Sequence, residues 1–231
     1  MLGTDKTAGT GSMEFRYLRH RVFQRMRAPI SDRARRKRMD KFLRIMNPQP
    51  HCKIIDIGGT ISFWDEIPET LDIAVVNLPG SLEDATDTHH HCTIIEGDGC
   101  DLAQFLDREF EIAFSNSVIE HVGPRVRQEA FAKEVRRLGH RYWVQTPSLW
   151  FPIEAHTGMP FWWFYGSPMR SWIIKRWYRK LPAWSDMVAG TRLLSKARMT
   201  ELFPEARIAT ERMFGFPKSY IAYCKPASHE P

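Results

Sequence analysis

The chain has 231 residues, a net charge of +6, four cysteines and 43% hydrophobic residues. That length suits one α/β domain whose core needs no covalent staples, and no run of eighteen apolar residues is present to span a bilayer. Cys52, Cys92, Cys100 and Cys224 lack C-x-x-C spacing, which argues against a zinc or redox pair; reduced structural thiols in a cytoplasmic protein, with no metal, are expected.

The charge is uneven. Residues 1–50 carry thirteen Lys/Arg against four Asp/Glu, a balance of +9 that leaves −3 for the rest. Residues 1–12 are small and polar, without the apolar centre of a secretory signal, and read as a disordered tail. Phe15, Leu18, Val22 and Met26 then recur at helical spacing, as do Met39, Phe42 and Met46 after Pro29 and a Ser31 cap. Residues 13–48 are therefore expected to form two basic amphipathic helices. They suit a lid with a solvated basic face, or a surface attracted to anionic lipid or a phosphorylated substrate. No nucleic-acid recognition motif accompanies the charge, and nucleic acid is not an expected partner.

Apolar strands alternate with chemically distinctive turns from residue 53 onward. Lys53-Ile54-Ile55-Asp56-Ile57 runs into Gly58-Gly59-Thr60, a strand end where missing Cβ atoms let the backbone approach a ligand. Ile73–Val76 ends at Asn77-Leu78-Pro79-Gly80, and Cys92–Glu96 at Gly97-Asp98-Gly99-Cys100-Asp101-Leu102. Ile112-Ala113-Phe114 ends at Ser115-Asn116-Ser117-Val118-Ile119-Glu120-His121.

This ordered series resembles the class I S-adenosylmethionine-dependent methyltransferases over roughly residues 40 to 224. The resemblance implies an α/β fold: a Rossmann-like, doubly wound, seven-stranded sheet, mostly parallel with the last strand antiparallel and helices on both faces. It also implies S-adenosylmethionine as cofactor. Asp56, Gly58 and Gly59 match the turn holding its amino-acid part, where a carboxylate meets an ammonium. Asn77 and Leu78 match the ribose position, Asp98 with the amides of Gly99 and Cys100 the adenine position, and Ser115 and Asn116 the turn under the methionine. Two departures stand out: Thr60 replaces a usual glycine, and Asn77 replaces the acid that grips the ribose, leaving an uncharged contact. A nicotinamide-binding fold fits less well, because G-x-G-x-x-G is absent and no carboxylate ends the second strand.

The remaining elements follow in order. Pro124 opens a helix through Phe131, Val135 and Leu138 that ends at Gly139, and Arg141–Thr146 is a fifth strand closed by Pro147. Ser195 caps a helix through Phe203, and Arg207–Arg212 and Ser219–Cys224 are two last strands reversing at Gly215-Phe216-Pro217. The domain thus covers residues 49–224, with an aromatic insertion at 147–192 and a short tail at 225–231. In this fold the region after the fifth strand commonly shapes the acceptor site, so the insertion reads as a substrate cap. Its residues Trp162, Trp163, Trp172, Trp177 and Trp184 suit a core or pocket wall, or an interfacial surface for lipid.

Glu154 and His156 are the candidate catalytic pair, because a histidine near neutrality suits removal of a hydroxyl proton; the competing role is ordering the loop. His121 is expected to cap or pack, and His89-His90-His91 to lie in a polar surface loop. The expected activity is methylation of a small molecule, foremost O-methylation of a hydrophobic, ring-bearing or lipid-linked hydroxyl, with N- and C-methylation open. A non-catalytic protein of this fold, binding a membrane or protein partner through its basic helices and tryptophan-rich cap, is the alternative. Oligomeric state is left open by the absence of a periodic seam.

Overall fold

A computed structural model describes residues 36–80, 88–154 and 156–224. The chain divides into two units, Met1–Asn47 and Pro48–Pro231. In the first, residues 36–46 form helix α1, and Met39, Phe42 and Met46 are buried, as their spacing predicts. The expected tails, the helix through Phe15–Met26 and the Ser31 cap lie outside the described residues.

The second unit is built on one seven-stranded sheet. Its strands are β1 (Lys53–Ile57), β2 (Asp72–Asn77), β3 (His91–Glu96), β4 (Phe110–Asn116), β5 (Gly139–Pro147), β6 (Arg207–Met213) and β7 (Phe216–Cys224). Their spatial order is β3-β2-β1-β4-β5-β7-β6. The first five pair in parallel, and β7 runs antiparallel to both β5 and β6. The mostly parallel α/β sheet with an antiparallel last strand is therefore present as expected. Near-continuous apolar runs form β1 and β4 because these central strands are covered on both faces. The order reverses between β1 and β4, and ligands bind at the carboxyl ends of strands beside such a switch point.

Helix α2 (Arg125–Leu138) packs Phe131, Ala132, Val135 and Leu138 into the core, with Pro124 as its N-cap. Helix α5 (Lys196–Leu202) begins where Ser195 Oγ accepts the Arg198 N–H at 3.1 Å, which satisfies one otherwise unpaired donor of the first turn.

Three expectations are corrected. The last reversal lies at Phe214 and Gly215, both at positive φ (51° and 82°), as a tight primed hairpin turn requires. Phe216 and Pro217 already belong to β7, and the proline is tolerated at a register shift in the β6–β7 pair. The histidine run is not a surface loop: His90 is buried, with Nδ1 accepting the Leu71 N–H and Nε2 against the Trp64 carbonyl at 2.9 Å. His91 opens the edge strand β3.

The insertion after β5 contains two helices, α3 (Ser167–Tyr178) and α4 (Pro182–Gly190), preceded by a 3-10 turn at Trp162–Phe164. Trp162 stacks on Trp177 at 5.4 Å between centroids, and Trp184 meets Trp177 edge-on at 4.8 Å. These three rings form a local aromatic core. Trp172, at 65% exposure, points outward instead.

Candidate functional site

The turn after β1 is shaped by two glycines without which it cannot close. Gly58 has φ +77°, and a Cβ there would lie 2.6 Å from Val118 Cγ2. A Cβ on Gly59 would lie 1.8 Å from Asp56 Oδ2. The Asp56 carboxylate thus fills the space a side chain on Gly59 would need. Asp56 is fully buried, and its Oδ2 accepts the Trp64 indole N–H at 2.8 Å. Its Oδ1 is buried with no hydrogen-bond partner. Burial pushes the carboxyl up from 3.8 to about 7, against the opposing Trp64 hydrogen bond. Asp56 therefore braces the turn from beneath rather than lining an open surface, and Trp64, which the sequence reading did not single out, fixes it there.

That burial has a measurable consequence. Between the ordinary carboxylate value and about 7 the folded chain holds a proton that the unfolded chain has released. The ligand-free protein should lose stability as pH rises from about 4 to about 7 and then level off. In Asp56→Asn this part of the slope should disappear, which urea titrations across that range will show.

On the neighbouring strand ends, Asn77 Nδ2 donates to the Gly59 carbonyl at 2.9 Å. The amide at the usual acid position thereby ties the second turn to the first, a bond that a carboxylate cannot make. Leu78 follows it at 56% exposure, an apolar surface at the strand end. Asp98 receives Arg127 Nη2 at 2.8 Å on both carboxylate oxygens. Partial burial pushes this carboxyl up, but the Arg127 and Cys100 hydrogen bonds outweigh it and hold it below its usual range. Gly99 packs against Ile57 and Phe131, with its missing Cβ only 2.7 Å from Ile57 Cγ2.

Two expected ligand contacts are turned inward. The Cys100 N–H, expected to face an adenine, donates to Asp98 Oδ1 at 3.0 Å. Ser115 is fully buried and its hydroxyl donates to the Ile57 carbonyl at 3.0 Å, stitching β4 to β1. Asn116 closes β4 half-buried.

The Glu154 and His156 pair does form. His156 Nδ1 lies 2.7 Å from Glu154 Oε1, and Glu154 Oε2 accepts the backbone N–H of His156 at 2.8 Å and that of Thr157 at 2.5 Å. Glu154 is buried; desolvation raises its pKa, but the His156 contact and the Thr157 N–H prevail and lower it. The structure adds a residue that the sequence reading set aside. His121 Nε2 stands 3.0 Å from His156 Nε2, across 35 residues of sequence, with the two rings edge to face. Its Nδ1 lies 3.3 Å from Thr191 Oγ1. Burial and then the neighbouring His156 push His121 down to about 4, so it is neutral at physiological pH. Glu120, fully buried beside it, accepts the Thr146 hydroxyl at 2.9 Å.

Two cavities adjoin these residues. An aromatic groove of about 670 Å³ is walled by Trp150, Phe161, Phe164, Phe216, Pro217 and Tyr220. It lies at the carboxyl end of β5, where Pro147 pairs with Ser219, and shares the 148–161 loop with His156. A second cavity of about 890 Å³, under the cap, includes Trp162, Trp163, Arg170, Arg192 and Thr191. It reaches the histidine pair through Thr191 and touches none of the β1, β2 or β3 turns.

No protein-family model and no curated protein matches the sequence. Solved structures share the fold. A candidate exported protein from Bordetella parapertussis is 13% identical with a TM-score of 0.52, over 83% of this chain and 68% of that one. An S-adenosylmethionine-dependent methyltransferase from Methanosarcina mazei is 12% identical with a TM-score of 0.44, over 78% and 94%. Another from Aquifex aeolicus is 9% identical with a TM-score of 0.46, over 80% and 88%. The likeness is one of fold, the Rossmann-like architecture of class I methyltransferases.

Proposed function

We propose that the protein is an S-adenosylmethionine-dependent methyltransferase that methylates a hydroxyl on a small apolar or ring-bearing molecule. The observation that carries this reading is the convergence at one sheet end: a glycine turn braced by a buried carboxylate, and a Glu154–His156 pair beside an aromatic groove.

The residues fit the cofactor. Gly58 and Gly59 leave backbone surface where side chains would stand, and the unpartnered Oδ1 of Asp56 places negative charge beneath it, suited to an ammonium. Asn77, with its nitrogen committed to Gly59, keeps its oxygen to accept a ribose hydroxyl. Leu78 offers an apolar edge to the adenine, and Asp98 a carboxylate with lone pairs beyond those used by Arg127. When bound, S-adenosylmethionine supplies an electrophilic sulfonium methyl group.

The chain then has to align the acceptor oxygen and take its proton. Glu154 orients the His156 ring through Nδ1, which leaves Nε2 for proton abstraction. The Trp150, Phe161 and Phe164 walls favour an apolar or aromatic acceptor body and exclude water from it. Among the described residues no helix is long and apolar enough to cross a membrane.

Labelled methyl transfer tests the reading. Protein incubated with methyl-labelled S-adenosylmethionine and a solvent extract of hydrophobic phenols and lipid-linked alcohols should move label into the organic phase, and Asp98→Ala should not. Cofactor turnover at only the uncatalysed rate, or label confined to water-soluble amines, would contradict it.

A further inference from the structure

The two facing imidazoles pose a proton-counting problem. Glu154 is held ionised, so at the 2.7 Å contact the proton sits on His156 Nδ1. Thr191 Oγ1 gives its single proton to the Met187 carbonyl at 2.8 Å, and therefore accepts from His121 Nδ1. With both Nδ1 atoms protonated, each neutral ring presents only the lone pair of Nε2. These two lone pairs face each other at 3.0 Å. Something positive must lie between them: an extra proton on one ring, or a cation.

The surroundings favour a cation. The Glu120 Oε1 atom lies 3.9 Å from His121 Nε2, and the three donor atoms of Glu120, His121 and His156 fall within 4.8 Å of one another. Ligands about 2.1 Å from a tetrahedral ion stand about 3.4 Å apart, so small side-chain rotations complete the site. Each donor is also backed by a second group: Glu154 behind His156, Thr191 behind His121, and Thr146 behind Glu120. Such outer partners fix the tautomer and direction of ligating side chains.

We infer that Glu120, His121 and His156 form a binding site for one divalent transition-metal cation, of the zinc or cobalt(II) class, with at least one coordination position left for water or an acceptor oxygen. Two imidazoles and a carboxylate are the donor set such ions take. The binding claim stands apart from the proposed reaction. What the cation does there rests on that reading: it binds the acceptor hydroxyl as a Lewis acid and lowers its pKa, in place of direct proton abstraction by His156.

Cobalt(II) provides the test, because its visible absorption reports coordination without any turnover. A second group, His51, Asp72 and His91, lies at the surface, so the titration uses a His51→Ala/His91→Ala background. Chelator-dialysed protein should take up one equivalent of cobalt(II) with a visible band that zinc displaces. His121→Ala and His156→Gln should each weaken binding by at least about 100-fold, and Thr191→Val by about tenfold, with cooperative melts retained. Absence of stoichiometric uptake would overturn the site, as would unchanged uptake in both histidine variants. Uptake without any S-adenosylhomocysteine binding would leave the cation site standing and remove the methyl-transfer reading.

Discussion

His156→Ala is expected to reduce methyl transfer by roughly 10²–10⁴-fold, the range a positioned acid–base group contributes. Affinity for S-adenosylhomocysteine should stay within about twofold, because a group acting on the acceptor lowers kcat without touching cofactor binding. The ring is held by the Glu154 carboxylate at 2.7 Å and faces His121 at 3.0 Å, so its removal leaves no neighbour on the same loop to take the proton. If the pair only orders the 148–161 loop, a different pattern appears: Glu154→Gln and His156→Ala would lower the melting temperature and cofactor affinity together, with kcat little changed. A cation at the histidine pair makes a further prediction. Chelator treatment and His156→Ala should then give similar losses that do not add, because both remove one unit.

Gly59→Ala is the second change with a large expected effect. Its Cβ would lie 1.8 Å from Asp56 Oδ2 and 2.1 Å from Asp56 Cγ, distances no packed atoms tolerate. Asp56 cannot swing aside without giving up the Trp64 N–H at 2.8 Å and disturbing a buried ring packed 4.9 Å from Phe114. A cost of about 2–4 kcal/mol is expected from forced rearrangement of a tightly packed site. Cofactor affinity should fall by at least about tenfold, since the turn itself must move. Gly80→Ala provides the comparison. Gly80 also has positive φ, at +75°, but a Cβ there meets nothing within 4 Å, so only backbone strain of about 1 kcal/mol remains. Equal melting temperatures for the two variants would show that the Asp56–Gly59 contact does not support the turn.

Strands β1, β2, β4 and β5 were legible because buried parallel strands are near-continuous apolar runs punctuated by polar turns. The Ser195 cap was legible for the same local reason: the side chain and the N–H it satisfies are three residues apart. Helix α3 was not. It buries no residue and so carries no apolar stripe, leaving its tryptophans without a period to read.

At the site, sequence placed residues at strand ends but not the direction of their hydrogen bonds. Ser115 and the Cys100 amide turn toward the protein because Ile57 O and Asp98 Oδ1 stand nearer than any ligand. Asp56 is set deeper than expected because Trp64, eight residues on, folds back over the turn and claims one oxygen. His121 was misjudged because its partners, His156 and Thr191, come from loops 35 and 70 residues away. No local pattern announces such a meeting. A histidine directly after a buried acid at a strand-end turn was the only available signal.

Calorimetric titration of the protein with S-adenosylhomocysteine tests the central claim most directly. The account predicts one site of micromolar affinity, weakened at least about tenfold in Asp98→Ala as expected for loss of a charge-assisted hydrogen bond. Absence of binding by the wild-type protein would contradict it: the fold would then carry no cofactor site, with Thr60 and Asn77 marking where it was lost.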